Sequence, residues 1–377
     1  MSVFLFLKQI VDVLYPYHWL DYMMVIMVVI ALIYQIMLVR PDIKKHITFS
    51  DIIILIFGVL LTVSFAKETR AYGIYVKVLS AFLMYFVGRI YYDRIKECTG
   101  ALVTSAYLVV CMNLIHRLYY FGMNFLQVSN AQGDLYYYDT DMAFAMVLAF
   151  IFIGMYGQNS LRKYFTMFIV CPYMVICSDA GIQKALFIII FLLMFLYLME
   201  KMFGKKKLIN ICLLITMVGL LCFIVVLMFP VVAGENGEIS GGVVSEDFLS
   251  IKNMYVRYEK WQEVWREFKS AGITSQLFGV ELSLLVGSLY LKTLYSVGVI
   301  GVVLLFVFVI SEIYYVVQIE DRKTFFVTIL LTVMLLGTGV TVASMEATQM
   351  SWFPMMFAGM VISSVQVKKL GKLDEEI

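Results

Sequence analysis

Residues 20–45 read LDYMMVIMVVIALIYQIMLVRPDIKK. From Leu20 to Val39 the run is apolar and long enough to cross the hydrocarbon core of a bilayer, which needs about 20 residues of helix. Arg40, Pro41, Lys44 and Lys45 then close it. The same figure, an apolar run followed by a cluster of lysine and arginine, recurs along the chain. Similar runs cover Ile52–Ala66, Ile74–Gly88, Cys98–Ile115, Met142–Tyr156, Tyr164–Cys177, Ala185–Leu198 and Leu208–Phe229. Further runs cover Phe325–Ala343 and Trp352–Val365. The stretch Leu282–Val317 is too long for one span and contains Lys292 and several glycines, so it divides into an approach segment and a span near Val297–Val317.

Composition agrees with this reading. Of 377 residues, 62% are hydrophobic and 15% charged, and the mean hydropathy is +0.89. Soluble domains hold closer to half apolar residues. The expected fold is an all-α, polytopic membrane protein, one integral domain over 1–377. About eleven spans are expected, with a twelfth if residues 1–19 cross. Lys8, Asp12 and Pro16 interrupt that first segment, which favours an interfacial helix. The cysteines form no CxxC pair and the histidines have no metal-type spacing, so neither disulfides, metal nor other cofactor is expected. No leader with a cleavage pattern and no repeat of 20–50 residues is visible.

Loop charge sorts by side. One set of short loops carries Arg40/Lys44/Lys45, Arg89/Arg94/Lys96, Arg162/Lys163, Lys201/Lys205/Lys206/Lys207, Arg322/Lys323 and Lys368/Lys369/Lys372. The alternate set holds far fewer cations. The positive-inside rule makes the first set cytoplasmic. Two longer polar intervals, 116–141 and 230–283, then lie outside. Any site large enough for chemistry is therefore expected at the external face, beyond reach of cytosolic nucleotide-activated donors. Nothing suggests a nucleic-acid partner.

The later external interval contains Ser250–Gly279, SIKNMYVRYEKWQEVWREFKSAGITSQLFG. Met254, Tyr258, Trp261, Val264, Trp265 and Phe268 recur at helical spacing and form one apolar face. Glu259, Glu263 and Arg266 fall opposite. Arg257 projects among the aromatics. Trp261 and Trp265 suit headgroup depth, and a guanidinium fork matches phosphate oxygens. Two readings stand for Arg257: a phosphate ligand, flanked by Lys252 and Lys260, or a side chain that snorkels to lipid headgroups.

The earlier interval ends in Gly133-Asp-Leu-Tyr136-Tyr137-Tyr138-Asp139-Thr140-Asp141. Tyrosines beside carboxylates suit a sugar, with Tyr136, Tyr138 and Asp141 as substrate contacts and Asp139 as a candidate general base. The alternative is an aromatic belt with an acidic helix cap. Arg117 and Lys184, at external ends of spans, have the same two readings as Arg257. No phosphate-binding glycine loop, HExxH or acidic metal cluster is present. Few charges lie inside spans, which argues against ion-coupled transport.

This layout resembles bacterial polysaccharide polymerases of the Wzy type, in the O-antigen polymerase/ligase superfamily. The resemblance rests on about a dozen spans with two external loops, the larger one late. It also rests on Arg257-Tyr-Glu-Lys-Trp261 leading to Leu277-Phe278-Gly279, on Tyr290–Gly301 (YLKTLYSVGVIG), and on the turn Ser178-Asp179-Ala180-Gly181 before a span. Ligase-type members often carry a histidine where this chain has Val286-Gly287-Ser288, and the basic residue expected after Ser178 is Asp179.

The resemblance implies a glycosyltransferase of the bacterial cytoplasmic membrane. It would join undecaprenyl pyrophosphate-linked oligosaccharides into a surface polysaccharide such as an O-antigen, capsule or exopolysaccharide. Arg257, Arg117 and Lys184 would stabilise the pyrophosphate leaving group. Membrane lipid, a chain-length regulator and a flippase are the implied associates. A flippase-type transporter and a ligase-type transferase are the alternatives.

Overall fold

The structure, a computed structural model, describes residues 1–13, 18–39, 47–121, 139–178, 180–204, 209–213, 215–216, 218–219, 251–282 and 287–375. Among these the chain is all helical, without strands. In order the helices are α1 (Ser2–Val13), α2 (His18–Val39), α3 (Phe49–Lys67), α4 (Tyr72–Ile90), α5 (Tyr92–Glu97) and α6 (Thr99–Phe121). Then come α7 (Asp139–Tyr156), α8 (Leu161–Phe165) and α9 (Cys171–Ile176), the last two joined by a π-helical turn, Thr166–Val170. They are followed by α10 (Gly181–Phe203), α11 (Ile251–Ser270), α12 (Ile273–Phe278), α13 (Leu289–Val316), α14 (Arg322–Thr338) and α15 (Thr348–Glu375).

Six helices among the described residues are long and apolar enough to cross a membrane by themselves: Phe49–Lys67, Thr69–Ile90, Thr99–Tyr119, Gly181–Phe203, Leu289–Val316 and Thr348–Lys368. Trp19–Tyr34 and Asp141–Tyr156 are shorter apolar helices. The chain is thus an all-α, multi-pass membrane protein. Most of the expected span Leu208–Phe229, and much of the external intervals, lie outside the described residues.

The bundle is built around α15. Met350, Trp352, Phe353, Met356, Phe357 and Met360 are all at most 1% exposed. A helix apolar on every side is one wrapped by others. Its closest neighbour is α4, because Gly88 and Gly359 remove the side chains at the crossing. A Cβ on Gly88 would overlap the Met356 carbonyl, and one on Gly359 would overlap the Tyr85 carbonyl. Small residues at helix crossings let membrane helices gain backbone-level packing, which substitutes for the hydrophobic force lipid does not supply.

Several of the described basic residues at loop ends are tied to neighbouring helices. Arg89 forks onto Asp51, with Nε 3.0 Å from Oδ1 and a terminal nitrogen 2.9 Å from Oδ2, and it also donates to Ser363 and Gln366. Arg322 binds Glu200 and Asn210. Lys368 pairs with Glu320. Arg89, Arg322 and Lys368 are each matched by a carboxylate of another element.

Helix α1 differs from the interfacial helix expected for residues 1–19. Leu5, Lys8, Gln9 and Asp12 are all buried, and the helix is inserted against α6 and α7. The polar residues that made it a poor span are the ones it uses to bind the bundle.

Candidate functional site

Elsewhere in the bundle, two sequence features distant in the chain become one structure. Helix α13 breaks at Gly298, whose φ is +81°. The segment Leu289–Val297 is therefore a separate short helix leading into the span, which is the division expected of Leu282–Val317. The Leu277-Phe278-Gly279 turn ending α12 packs on this break. A Cβ on Gly298 would overlap the Leu277 carbonyl oxygen, and one on Gly279 (φ +92°) would overlap that of Ser296. Val280 N–H donates to the Tyr295 carbonyl at 2.7 Å, and Lys67 Nζ to the Gly279 carbonyl at 2.8 Å. The other side of the short helix is pinned to α14: Leu289 N–H donates to Gly339 O and the Tyr290 hydroxyl to Leu336 O, both at 2.7 Å.

This scaffold aims Lys292 into the protein. Its Nζ donates to the Leu282 carbonyl at 2.8 Å and stands 3.2 Å from Glu346 Oε1. The latter distance suits an ion pair. Burial pushes the Glu346 carboxyl upward, and Lys292 and Lys77 draw it back. Lys292 and Glu346 line a narrow cavity of ≈ 50 Å³. The rest of its wall is mainly apolar, drawn from α3, α4, α13, α14 and α15, with Phe57, Phe82, Leu305 and Phe308 among the larger side chains. Farther along α13, Glu312 lines the same cavity. From Gly298 to Glu312 the helix rises roughly 21 Å. Glu312 is 4% exposed and accepts a 2.7 Å hydrogen bond from the Thr332 hydroxyl.

A second, smaller polar cavity, of ≈ 10 Å³, lies between α1, α6, α7 and α15. Gln9, Asp12, Asp141 and Gln349 line it. Lys8 pairs with Asp12, lies 4.4 Å over the Trp352 ring and donates to Thr348 at 3.1 Å. Thr348 in turn donates to Asp21 at 3.1 Å. Among the described residues none donates to Asp12 Oδ2. Burial pushes the Asp12 carboxyl up to about 7; Lys8 opposes the shift and Asp21 adds to it.

The expected site residues distribute as follows. Asp141 accepts from Gln349 at 3.2 Å and so belongs to the smaller cavity. Arg117 is 2% exposed; its Nε donates to the Tyr173 hydroxyl at 3.0 Å and its guanidinium lies over the Tyr173 ring. Lys184 is buried near the start of α10, two residues before Leu186, which packs on Gly337. Neither cation lines the large cavity. On α11 the expected apolar face is present: Trp261, Val264 and Phe268 are buried, while Lys260, Glu263 and Arg266 are exposed. Trp261, expected at headgroup depth, is 1% exposed, so it seats the helix on the protein. Tyr136 and Tyr138 lie outside the described residues. Lys252, Arg257 and Asp139 lie on described helix backbone, and their side chains fall outside the described set.

Lys292 and Glu346 face each other across the larger cavity although they are far apart in the sequence. A lysine inside an apolar stretch and a glutamate in the short turn before the last span were the available signals. Among the described residues no group of three or more His, Cys, Asp or Glu side chains could hold a metal ion. No protein-family model matches the chain, and no curated protein matches it.

Proposed function

We propose that this protein joins undecaprenyl pyrophosphate-linked oligosaccharide repeat units into a surface polysaccharide at the outer face of the bacterial cytoplasmic membrane. The observation that carries this reading is the amphiphilic cavity behind the Gly279–Gly298 contact. Ligand sites are mostly apolar, with a few fixed polar groups. This one has apolar walls running along a membrane span and a Lys292–Glu346 pair at its rim. Such a lining suits an amphiphile, whose apolar and charged parts it would meet side by side. The reaction transfers the growing glycan from its lipid pyrophosphate to a hydroxyl of the next unit. Negative charge grows on the departing pyrophosphate, and fixed cations aimed at it lower the barrier. Arg257, on the polar helix α11, is the residue proposed for that task, with Arg117 and Lys184 as further candidates.

The test is direct. Purified protein in liposomes, given undecaprenyl pyrophosphate-linked oligosaccharide, is expected to produce a ladder of longer lipid-linked glycans and to release undecaprenyl pyrophosphate. Glycans that stay at one repeat unit overturn the reading. Transfer of a whole glycan to a different lipid acceptor replaces it with the ligase-type reaction.

Glu312 favours a second reading. An ionisable group buried within a membrane span is a common mark of an ion or substrate pathway. A lipid-linked oligosaccharide transporter would move substrate between leaflets without lengthening it, and Glu312→Gln would stop that movement. A polymerase would retain its ladder in this variant.

A further inference from the structure

We propose that Glu346 is the general base that takes the proton from the acceptor hydroxyl, and that Lys292 is the positioning residue that holds it. This assignment rests on the polymerase reading. Among the described residues, two carboxylates line the large cavity, Glu346 and Glu312. Glu312 sits roughly 21 Å along the span from the helix break, a depth that suits hydrocarbon, where a sugar hydroxyl does not reach. Glu346 lies in the turn between α14 and α15, outside both spans, with its side chain 20% exposed against 6% for Lys292. It therefore combines a rigid mount with an open approach.

The geometry suits a base. Lys292 is fixed by the Leu282 carbonyl, and its short helix is pinned by Gly339, Leu336 and Val280. The ammonium stands 3.2 Å from Oε1. Burial raises the proton affinity of the carboxyl and Lys292 restrains that rise, which moves a carboxylate toward the operating pH where a base works best. The charged groups acting on Glu346 are Lys292 and, at longer range, Lys77. The buried carboxylates Asp12 and Asp141 line the smaller cavity, and Asp21 accepts from Thr348.

In the step assigned to Glu346, the acceptor oxygen forms a bond to the anomeric carbon while that carbon's bond to the pyrophosphate oxygen breaks. The bonding pair leaves on the pyrophosphate, and the acceptor proton passes to the Glu346 carboxylate. It is then released to water at the external face.

The experiment uses the full-length protein in liposomes with undecaprenyl pyrophosphate-linked oligosaccharide. Glu346→Gln keeps the side-chain shape and removes the base. It is expected to lower the rate of lengthening by about 10²–10⁴-fold, the usual worth of general-base catalysis, while still binding the lipid-linked substrate. The wild-type rate is expected to fall toward acid pH; Glu346→Asp is expected to recover part of the rate and keep that limb, and the glutamine variant to lose it. Wild-type lengthening with full activity in E346Q overturns the base assignment alone. If E346Q does not accumulate, the aspartate variant decides: a rate profile without an acid limb overturns the assignment. Absence of lengthening by the wild type overturns the polymerase reading instead.

Discussion

Gly279 and Gly298 meet backbone to backbone, each with a positive φ (+92° and +81°) and each leaving no room for a Cβ. With ψ at 152° and −175°, both occupy a region that is essentially restricted to glycine and costs other residues of order 1–3 kcal/mol. Alanine at either site must also displace a carbonyl on the partner strand of chain. Gly279→Ala and Gly298→Ala are therefore expected to lower the thermal unfolding midpoint in detergent. Gly204 also has a positive φ (66°) but open space around it, so Gly204→Ala should have the smaller effect. Equal shifts in all three variants would remove the contact as the cause.

How far the sequence alone reaches can be judged from these same residues. Leu277-Phe278-Gly279 and the Tyr290–Gly301 segment were visible as separate stretches, and so was the need to divide Leu282–Val317. Local chemistry announces such things: apolar length, glycine, a stranded lysine. Their contact was not visible, because it joins two backbones through the absence of side chains and leaves no periodic signal. The Lys292–Glu346 pair was hidden for a similar reason. Its members are separated by a whole span, and each alone resembles a snorkelling charge. For α1, local hydropathy pointed the wrong way. Lys8 and Asp12 interrupt an apolar segment, yet at i and i+4 they neutralise one another and become a buried polar tie. The apolar face of α11 was read correctly, but periodicity does not say whether that face meets lipid or protein.

Removing one partner of the Asp51–Arg89 fork should be costly. Asp51 also accepts from the Tyr85 hydroxyl at 2.7 Å and from Thr48 N–H at 2.7 Å, where it closes the capping box of α3. Arg89→Met leaves a buried carboxylate short of its cation, and the expected loss is about 3–5 kcal/mol. Arg89→Lys keeps the charge but not the fork, and should fall between. The double variant Asp51→Asn/Arg89→Met is expected to lose less than the sum of the single variants, because the unpaired charge is gone. Additive losses in denaturant unfolding would show that the two groups act independently.

The Lys8–Asp12 tie predicts a pH dependence. The Asp12 carboxyl titrates near 7 in the folded protein against an ordinary 3.8. Between those values the folded chain holds a proton that the unfolded chain has released. Stability therefore falls as pH rises from about 4 to about 7, and this contribution is level outside that window. Lys8, Asp21 and Asp141 are the charged groups acting on Asp12. Asp12→Asn should flatten the slope of unfolding midpoint against pH across the window. A slope unchanged in that variant would assign the dependence to another group.

Arg257 carries the last prediction. Helix α11 is seated on the bundle through Trp261, Val264 and Phe268, and the Tyr295 hydroxyl donates to Glu267 at 3.2 Å. Tyr295 belongs to the short helix that also mounts Lys292, so α11 and the cavity rim share one support. A cation on α11 that stabilises the departing pyrophosphate acts only as charge develops, so its loss should appear in turnover rather than in substrate affinity. Arg257→Ala is expected to reduce lengthening by about 10²–10³-fold, the range found when one such donor is removed. Arg257→Lys should recover only part of this, since an ammonium lacks the planar fork that engages two phosphate oxygens. The measurement is the initial rate of glycan lengthening in liposomes at saturating substrate, with protein amount and unfolding midpoint matched to wild type. A stable alanine variant that lengthens glycans at the wild-type rate would exclude Arg257 from the reaction and shift the leaving-group role to Arg117 or Lys184.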